Sequence, residues 1–437
     1  MLITQVVVAL LAFYVAWNLG ANDVANAMGT SVGSRAVTLK QALIIAGVLE
    51  FTGSVLFGHE VTQTLATKIA NPALFAATPQ IFVVGMVTVL VSCGVWLQIA
   101  TSRSLPVSSS HAVVGAIAGF SWVALGVNAI DWSSIGLITI GWILTPLISG
   151  AIAALFYSQI KHWILDQPNQ VVQLQEWIPW LSTVLLGVFG VIVLPSLTEP
   201  LTNFVIELGF TIPAYDIPLL TGTVAAVGLT IISWRQLGET GEGGLEKKFL
   251  PQTQELPSIQ NTKSQIQNPV ERLFARFQLL SACFVAFAHG SNDVGNAIAP
   301  LAAIVYINRT GSVPTDGITI PIWILILGGA GIVAGLAVWG KKVIATIGEN
   351  IITLQPSSGF CAELATATTI LIASRLGLPV STSHALVGGV VGIGLVQNIK
   401  SIKFKTLKGI AAAWLITIPV SAILSAAIFS IARILFF

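Results

Sequence analysis

The sequence predicts an all-α polytopic membrane protein: two inverted-topology repeats with discontinuous helices and re-entrant hairpins, in about 12 hydrophobic segments. Three observations carry this expectation. The 437 residues are 54% hydrophobic and only 9% charged, with mean hydropathy +0.87, whereas soluble domains carry about 25% charged residues. The apolar runs are long and continuous, which suits helices rather than the alternating strands of a membrane barrel. Two pairs of polar strings also recur, one of each pair in either half of the chain.

Taken in order, the apolar runs fall at about 2–19, 41–57, 81–100, 106–126, 135–157, 180–195, 215–233, 273–289, 322–340, 360–376, 379–397 and 409–435. Some 18–20 apolar residues cross a bilayer, so each run is a helix candidate. The first run has no basic stretch before it and no small-residue cleavage site, and reads as a retained span rather than a signal peptide. The runs within 81–126 and within 360–397 are joined by tight polar links and read as re-entrant hairpins. Residues 1–157 then form the first repeat, 158–233 connecting and scaffold helices, 234–272 a hydrophilic linker, and 273–437 the second repeat. The linker holds Gly-Glu-Thr-Gly-Glu-Gly-Gly at 238–244 and a Gln/Ser/Asn/Pro-rich tract, and reads as flexible.

Lys and Arg orient the spans. With the linker cytoplasmic, 15 of the 20 basic residues fall inside, and only Lys68, Arg309 and Arg433 fall outside. Arg103 and Arg375 lie in the tight links. Both termini are then outside, in a protein of the cell (inner) membrane. The net charge of +2 says nothing about partners, and no stretch reads as a nucleic-acid surface. Cys93, Cys283 and Cys361 all lie in apolar runs, which argues against a disulfide framework.

Gly20-Ala21-Asn22-Asp23-Val24-Ala25-Asn26-Ala27 returns as Gly290-Ser291-Asn292-Asp293-Val294-Gly295-Asn296-Ala297. An Asp in so apolar a setting is costly and marks a functional site. Leu105-Pro106-Val107-Ser108-Ser109-Ser110-His111 likewise returns as Leu378-Pro379-Val380-Ser381-Thr382-Ser383-His384. Asp and His are 88 residues apart in the first copy (23 to 111) and 91 in the second (293 to 384). An odd number of crossings separates the copies whether or not the hairpins cross, so the repeats are inverted. Secondary transporters commonly have that architecture.

Asp23 and Asp293, with Asn26 and Asn296, are hard oxygen ligands for sodium or a proton. The hydroxyls of Ser108, Ser109, Ser110, Ser381, Thr382 and Ser383 stand at helix starts, where free N–H groups and the dipole favour an anion. Buried carboxylates repel an anion until cations neutralise them. These features predict a cation-coupled anion symporter. Glu50 and Glu363 lie inside apolar runs and are candidate participants. The repeat aligns Glu50 with Ile332, Gly53 with Gly335 and Gly58 with Gly340, so Glu50 breaks the symmetry. His111 and His384 are either proton carriers or hairpin caps. His289 stands where the first copy has Leu19 and reads as structural.

The duplicated Gly-x-Asn-Asp-x-x-Asn signature resembles that of the inorganic phosphate transporter family called PiT. The match covers 20–58, 101–119, 285–300 and 356–392. The resemblance implies phosphate uptake driven by sodium or protons, a substrate-carrying part and a scaffold part, and a homodimer. It implies that Asn22, Asp23, Asn292 and Asp293 lie at phosphate and sodium sites, with sodium held at Asp23 and Asp293. It also implies that the Ser-rich tips contact phosphate or sodium, and that Glu50 and Glu363 sit at acidic positions the family uses. No cofactor beyond the coupling ions is expected. A sulfate permease on the same scaffold is the alternative; phosphate offers a proton to a carboxylate acceptor, which sulfate at neutral pH does not. An ion channel is a lesser reading, and no nucleophile–base pair points to an enzyme.

Overall fold

The computed structural model describes residues 2–103, 105–207, 216–240, 268–315, 317–347 and 352–436. These residues form 14 α-helices and no sheet. The first half contains α1 (Leu2–Gly33), α2 (Leu39–Phe57), α3 (His59–Thr67), α4 (Pro79–Ser102), α5 (Ser109–Leu125) and α6 (Trp132–Ile160). Next come α7 (Gln170–Ile192), α8 (Leu194–Glu207) and α9 (Asp216–Thr240). The second half contains α10 (Pro269–Thr310), α11 (Ile322–Ile347), α12 (Pro356–Arg375), α13 (Thr382–Gln397) and α14 (Phe404–Phe436). Among the described residues, nine helices are long and apolar enough to cross a membrane. The chain is an integral membrane protein.

Each expected apolar run lies on a helix, but several helices extend further. Both motif helices run on through their Asn-Asp strings without interruption. Their Asn side chains bond sideways to other elements instead of competing for their own backbone, so the helix is not broken there. The discontinuities fall instead at the links between α4 and α5 and between α12 and α13. The short helix α3 lies outside the expected runs, and the run at 180–195 spans the junction of α7 with α8. The linker drawn at 234–272 has helical ends, since α9 continues to Thr240 and α10 starts at Pro269. Pro269 needs no N–H partner at the first helical position, and the Asn268 side chain accepts from the Val270 N–H at 2.9 Å. Residues 241–267 lie outside the described residues.

The halves pack crosswise. A Cβ on Gly290 of α10 would clash with the Glu50 carbonyl oxygen of α2, and one on Gly20 of α1 would clash with that of Ile332 of α11. A Cβ on Gly53 would clash with the Phe287 carbonyl oxygen, as one on Gly335 would clash with that of Trp17. Gly58 faces Val294 as Gly340 faces Val24. These contacts reproduce the register that aligned Glu50 with Ile332. The hairpins repeat the exchange: Gly115 and Gly119 of α5 abut the backbone of α14, and Gly388 and Gly392 of α13 abut that of α6. Pairwise exchange of contacts is the mark of a two-fold relation. Small residues let the backbones approach closely, as membrane helix packing requires.

Gly290→Ala should therefore lower the thermal stability of the purified protein by the equivalent of about 1–3 kcal/mol, the usual cost of overpacking. Gly228→Ala, where a Cβ meets open space, should leave it unchanged or slightly raised. Melting curves in detergent check both.

Candidate functional site

Each hairpin link is formed by the same local devices. Ser108 and Ser381 are N-caps, each accepting the N–H three residues on, His111 or His384, at 3.3 Å. That engages the hydroxyl oxygens of two predicted binding residues in helix initiation. The first Asn of each motif holds the link of its own half. Asn22 Nδ2 donates to Thr101 Oγ1 at 3.1 Å and to the Leu105 carbonyl at 3.4 Å. Asn292 Nδ2 donates to Ser374 Oγ at 3.1 Å and to the Leu378 carbonyl at 3.2 Å.

The last Asn of each motif reaches the opposite half. Asn26 Nδ2 donates to Thr382 Oγ1 at 3.4 Å and to Asp23 Oδ1 at 3.2 Å. Asn296 Nδ2 lies 3.2 Å from both Ser109 Oγ and Ser110 Oγ. Thr382 Oγ1 donates to Asp293 Oδ2 at 3.0 Å, and Ser110 Oγ donates to the Val380 carbonyl of the other link at 2.8 Å. The Ser383 and Ser381 hydroxyls lie 2.9 Å apart. Both motifs and both tips thus converge on one buried place.

One ligand atom each from Asp23, His289 and Asp293 lie within 4.8 Å of one another. The buried oxygens Asp23 Oδ2, Asn292 Oδ1, Asp293 Oδ1 and Asn296 Oδ1 form no hydrogen bond among the described residues. Buried oxygens normally have partners. Carboxylate and amide oxygens left bare in this way suit a hard cation. The N–H groups of the first turns of α5 and α13 supply donors beside them. Acceptors for a cation and donors for an anion therefore share one site.

His289, read as structural from the sequence, sits between two carboxylates. Its Nε2 lies 3.0 Å from Asp293 Oδ2 and its Nδ1 lies 3.1 Å from Glu50 Oε1, with all three side chains buried. The ring joins Glu50 to the central carboxylates. The equivalent positions of the other half hold Leu19 and Ile332, an apolar pair. The signal was in the sequence: two departures from the repeat, read separately, are partners. Glu363 is placed differently. Its Oε1 accepts from Thr30 and Ser31 at 2.6 Å each and from Gln278 at 3.0 Å, and its Oε2 accepts from Ser281 at 2.8 Å. Thr30 is about 10 Å along α1 from Asp23, so Glu363 forms a separate hydroxyl-rich pocket.

His111 and His384 join the hairpins to α14 and α6. Their Nδ1 atoms lie 3.2 Å from the carbonyls of Trp414 and Trp142 respectively, and their ring centroids are 4.8 Å apart. Arg103 is exposed. Arg375 donates to Ser196 Oγ of α8 at 2.7 Å and lies over the Phe57 ring, so its guanidinium is engaged outside the Asp cluster.

The sequence matches the profile described as "Phosphate transporter family" over residues 19–425. The chain belongs to that family. The phosphate transporter is 41% identical over 426 residues to the inorganic phosphate transporter 2-1, chloroplastic, of Arabidopsis thaliana, covering 95% of this chain and 70% of that one. It is 35% identical over 430 residues to a putative phosphate permease of Haemophilus influenzae, covering 98% and 97%. A solved structure, "The sodium-dependent phosphate transporter", superposes with TM-score 0.81 at 33% identity, covering 99% of both chains.

The asymmetric pair yields a stability test for this transporter. Glu50→Ile alone removes one partner of a buried ionisable pair and should cost about 3–5 kcal/mol. Glu50→Ile with His289→Leu installs the apolar pair of the other half, and should recover most of that loss in a double-mutant cycle of thermal unfolding.

Proposed function

We propose that this phosphate transporter imports inorganic phosphate by symport with sodium, through alternating access of two inverted repeats. The observation that carries the reading is the crossed convergence of Asp23, Asp293 and both hairpin tips. Sodium ions take the bare carboxylate and amide oxygens. Phosphate takes the N–H groups at the starts of α5 and α13, and the hydroxyls of Ser109, Ser110, Thr382 and Ser383 as they exchange their protein partners for its oxygens. Cations bound beside Asp23 and Asp293 cancel a repulsion that otherwise keeps a phosphate anion out. Coupling follows from electrostatics, because neither charge enters this low-dielectric site cheaply without the other.

Sodium rather than protons is favoured by the oxygen-rich donor set, and by the structural neighbour, which is itself called sodium-dependent. Glu363 in its pocket of hydroxyls is a further cation position of different chemistry, since both its oxygens already accept hydrogen bonds. The crosswise packing fits two repeats related by an axis in the membrane plane, an arrangement suited to opening the site alternately to either side. Basic-residue bias supports both termini outside and the linker inside. We read the assembly as a homodimer in the cell membrane.

The test is uptake of radiolabelled phosphate into proteoliposomes. An inward sodium gradient at symmetric pH should drive concentrative uptake. Asp23→Asn and Asp293→Asn should each reduce it at least 100-fold, while protein yield and melting behaviour stay near wild type, because each removes a charge worth several kcal/mol to a buried cation. Uptake driven equally well without sodium, or wild-type kinetics in either variant, would overturn the reading.

A further inference from the structure

A groove of about 1080 Å³ runs between α2 and α11, and none of the clustered carboxylates lines it. The two helices are antiparallel along it. A Cβ on Gly329 would lie 3.0 Å from Phe51, one on Gly47 would lie 3.7 Å from Val333, and one on Gly340 would lie 3.2 Å from Leu43. One end of the groove therefore lies at Phe51 and Ala330, and the other at Leu43 and Lys341. Lys40 lies one turn before Leu43, and Lys341 directly follows Gly340. Both lysines line the groove, at the same end, and both are exposed.

The remaining walls are apolar, with Gly47, Ala330, Ala334 and Ala337 forming a shallow floor. Thr52 is the sole other polar side chain among the lining residues, and its hydroxyl donates to its own helix, to the Val48 carbonyl at 2.7 Å. No carboxylate lines the groove among the described residues. A second groove of about 790 Å³, between α7 and α9, has no charged residue in its lining. The charge of the first groove is thus not a general property of the membrane-facing surface.

We propose that the α2–α11 groove binds one anionic phospholipid, with its acyl chains along the apolar floor and its phosphodiester between Lys40 and Lys341. A trough facing hydrocarbon and ending in two ammonium groups matches a lipid in both charge and polarity profile. The long lysine stems keep their heads at the membrane surface while their methylenes cover the trough. Basic pockets between membrane helices hold anionic head groups by the same means.

Native mass spectrometry of the purified full-length protein, titrated with phosphatidylglycerol or phosphatidylcholine, tests this site. The wild type should retain one phosphatidylglycerol in preference to phosphatidylcholine. Lys40→Gln with Lys341→Gln should weaken that binding about 25-fold, at about fivefold per lysine, and Lys40→Arg with Lys341→Arg should keep it. Ala337→Trp, which fills the trough and spares both lysines, should also abolish it. Folded charge states report the binding, so a loss through misfolding is seen separately. Equal retention of both lipids by the wild type would overturn the proposal, as would unchanged phosphatidylglycerol binding in the double glutamine variant. So would lipid-independent cross-linking of Val48→Cys between two copies, which would make the groove a protein interface.

Discussion

The hydrogen bonds that depend most on the whole fold are those of Asn26 and Asn296. Each crosses from the motif helix of one half to the hairpin tip of the other, onto Thr382 in one case and onto Ser109 and Ser110 in the other. Asn22 and Asn292 meanwhile bind the hairpin of their own half. Each tip is therefore gripped by both motif helices. In an apolar chain an amide without a partner costs several kcal/mol, so the crossed bonds strongly constrain how the halves assemble. The close glycine contacts between α2 and α10, and between α11 and α1, keep the helices near enough for these short side chains to reach.

The same constraint explains why the site is not symmetric. The Asn, Asp and hydroxyl groups repeat in both halves, but the support behind them differs. Behind Asp293 stand His289 and Glu50; the equivalent positions in the other half hold Leu19 and Ile332. One carboxylate is thus tied into a chain of ionisable groups, whereas Asp23 Oδ1 accepts the Asn26 amide. Two cation positions built from the same motif then need not be equivalent. Glu363, already surrounded by four hydrogen-bond donors, adds a third and distinct environment.

Much of this was legible in the sequence because repetition carries information that composition does not. The duplicated Asn-Asp strings and the Leu-Pro-Val-Ser links named the residues that the fold brings together. The alignment of Gly53 with Gly335 and Gly58 with Gly340 reappears as paired contacts. What stayed hidden depends on which side chains meet across long separations. No local pattern says that His289 faces Glu50, or that Thr30, Ser31, Gln278 and Ser281 gather around Glu363. Helix continuity through the motifs was also missed, because a polar string resembles a helix end until its partners on neighbouring helices are known.

If anion and cation share one buried site, each must change the affinity of the other by the same factor. The most direct measurement is the equilibrium binding of radiolabelled phosphate to the purified protein across a sodium titration at fixed ionic strength, without transport. Phosphate should bind weakly or not at all in choline and tighten by at least tenfold as sodium rises, with sodium affinity tightening equally when phosphate is present. A phosphate Kd that does not depend on sodium would contradict a shared site.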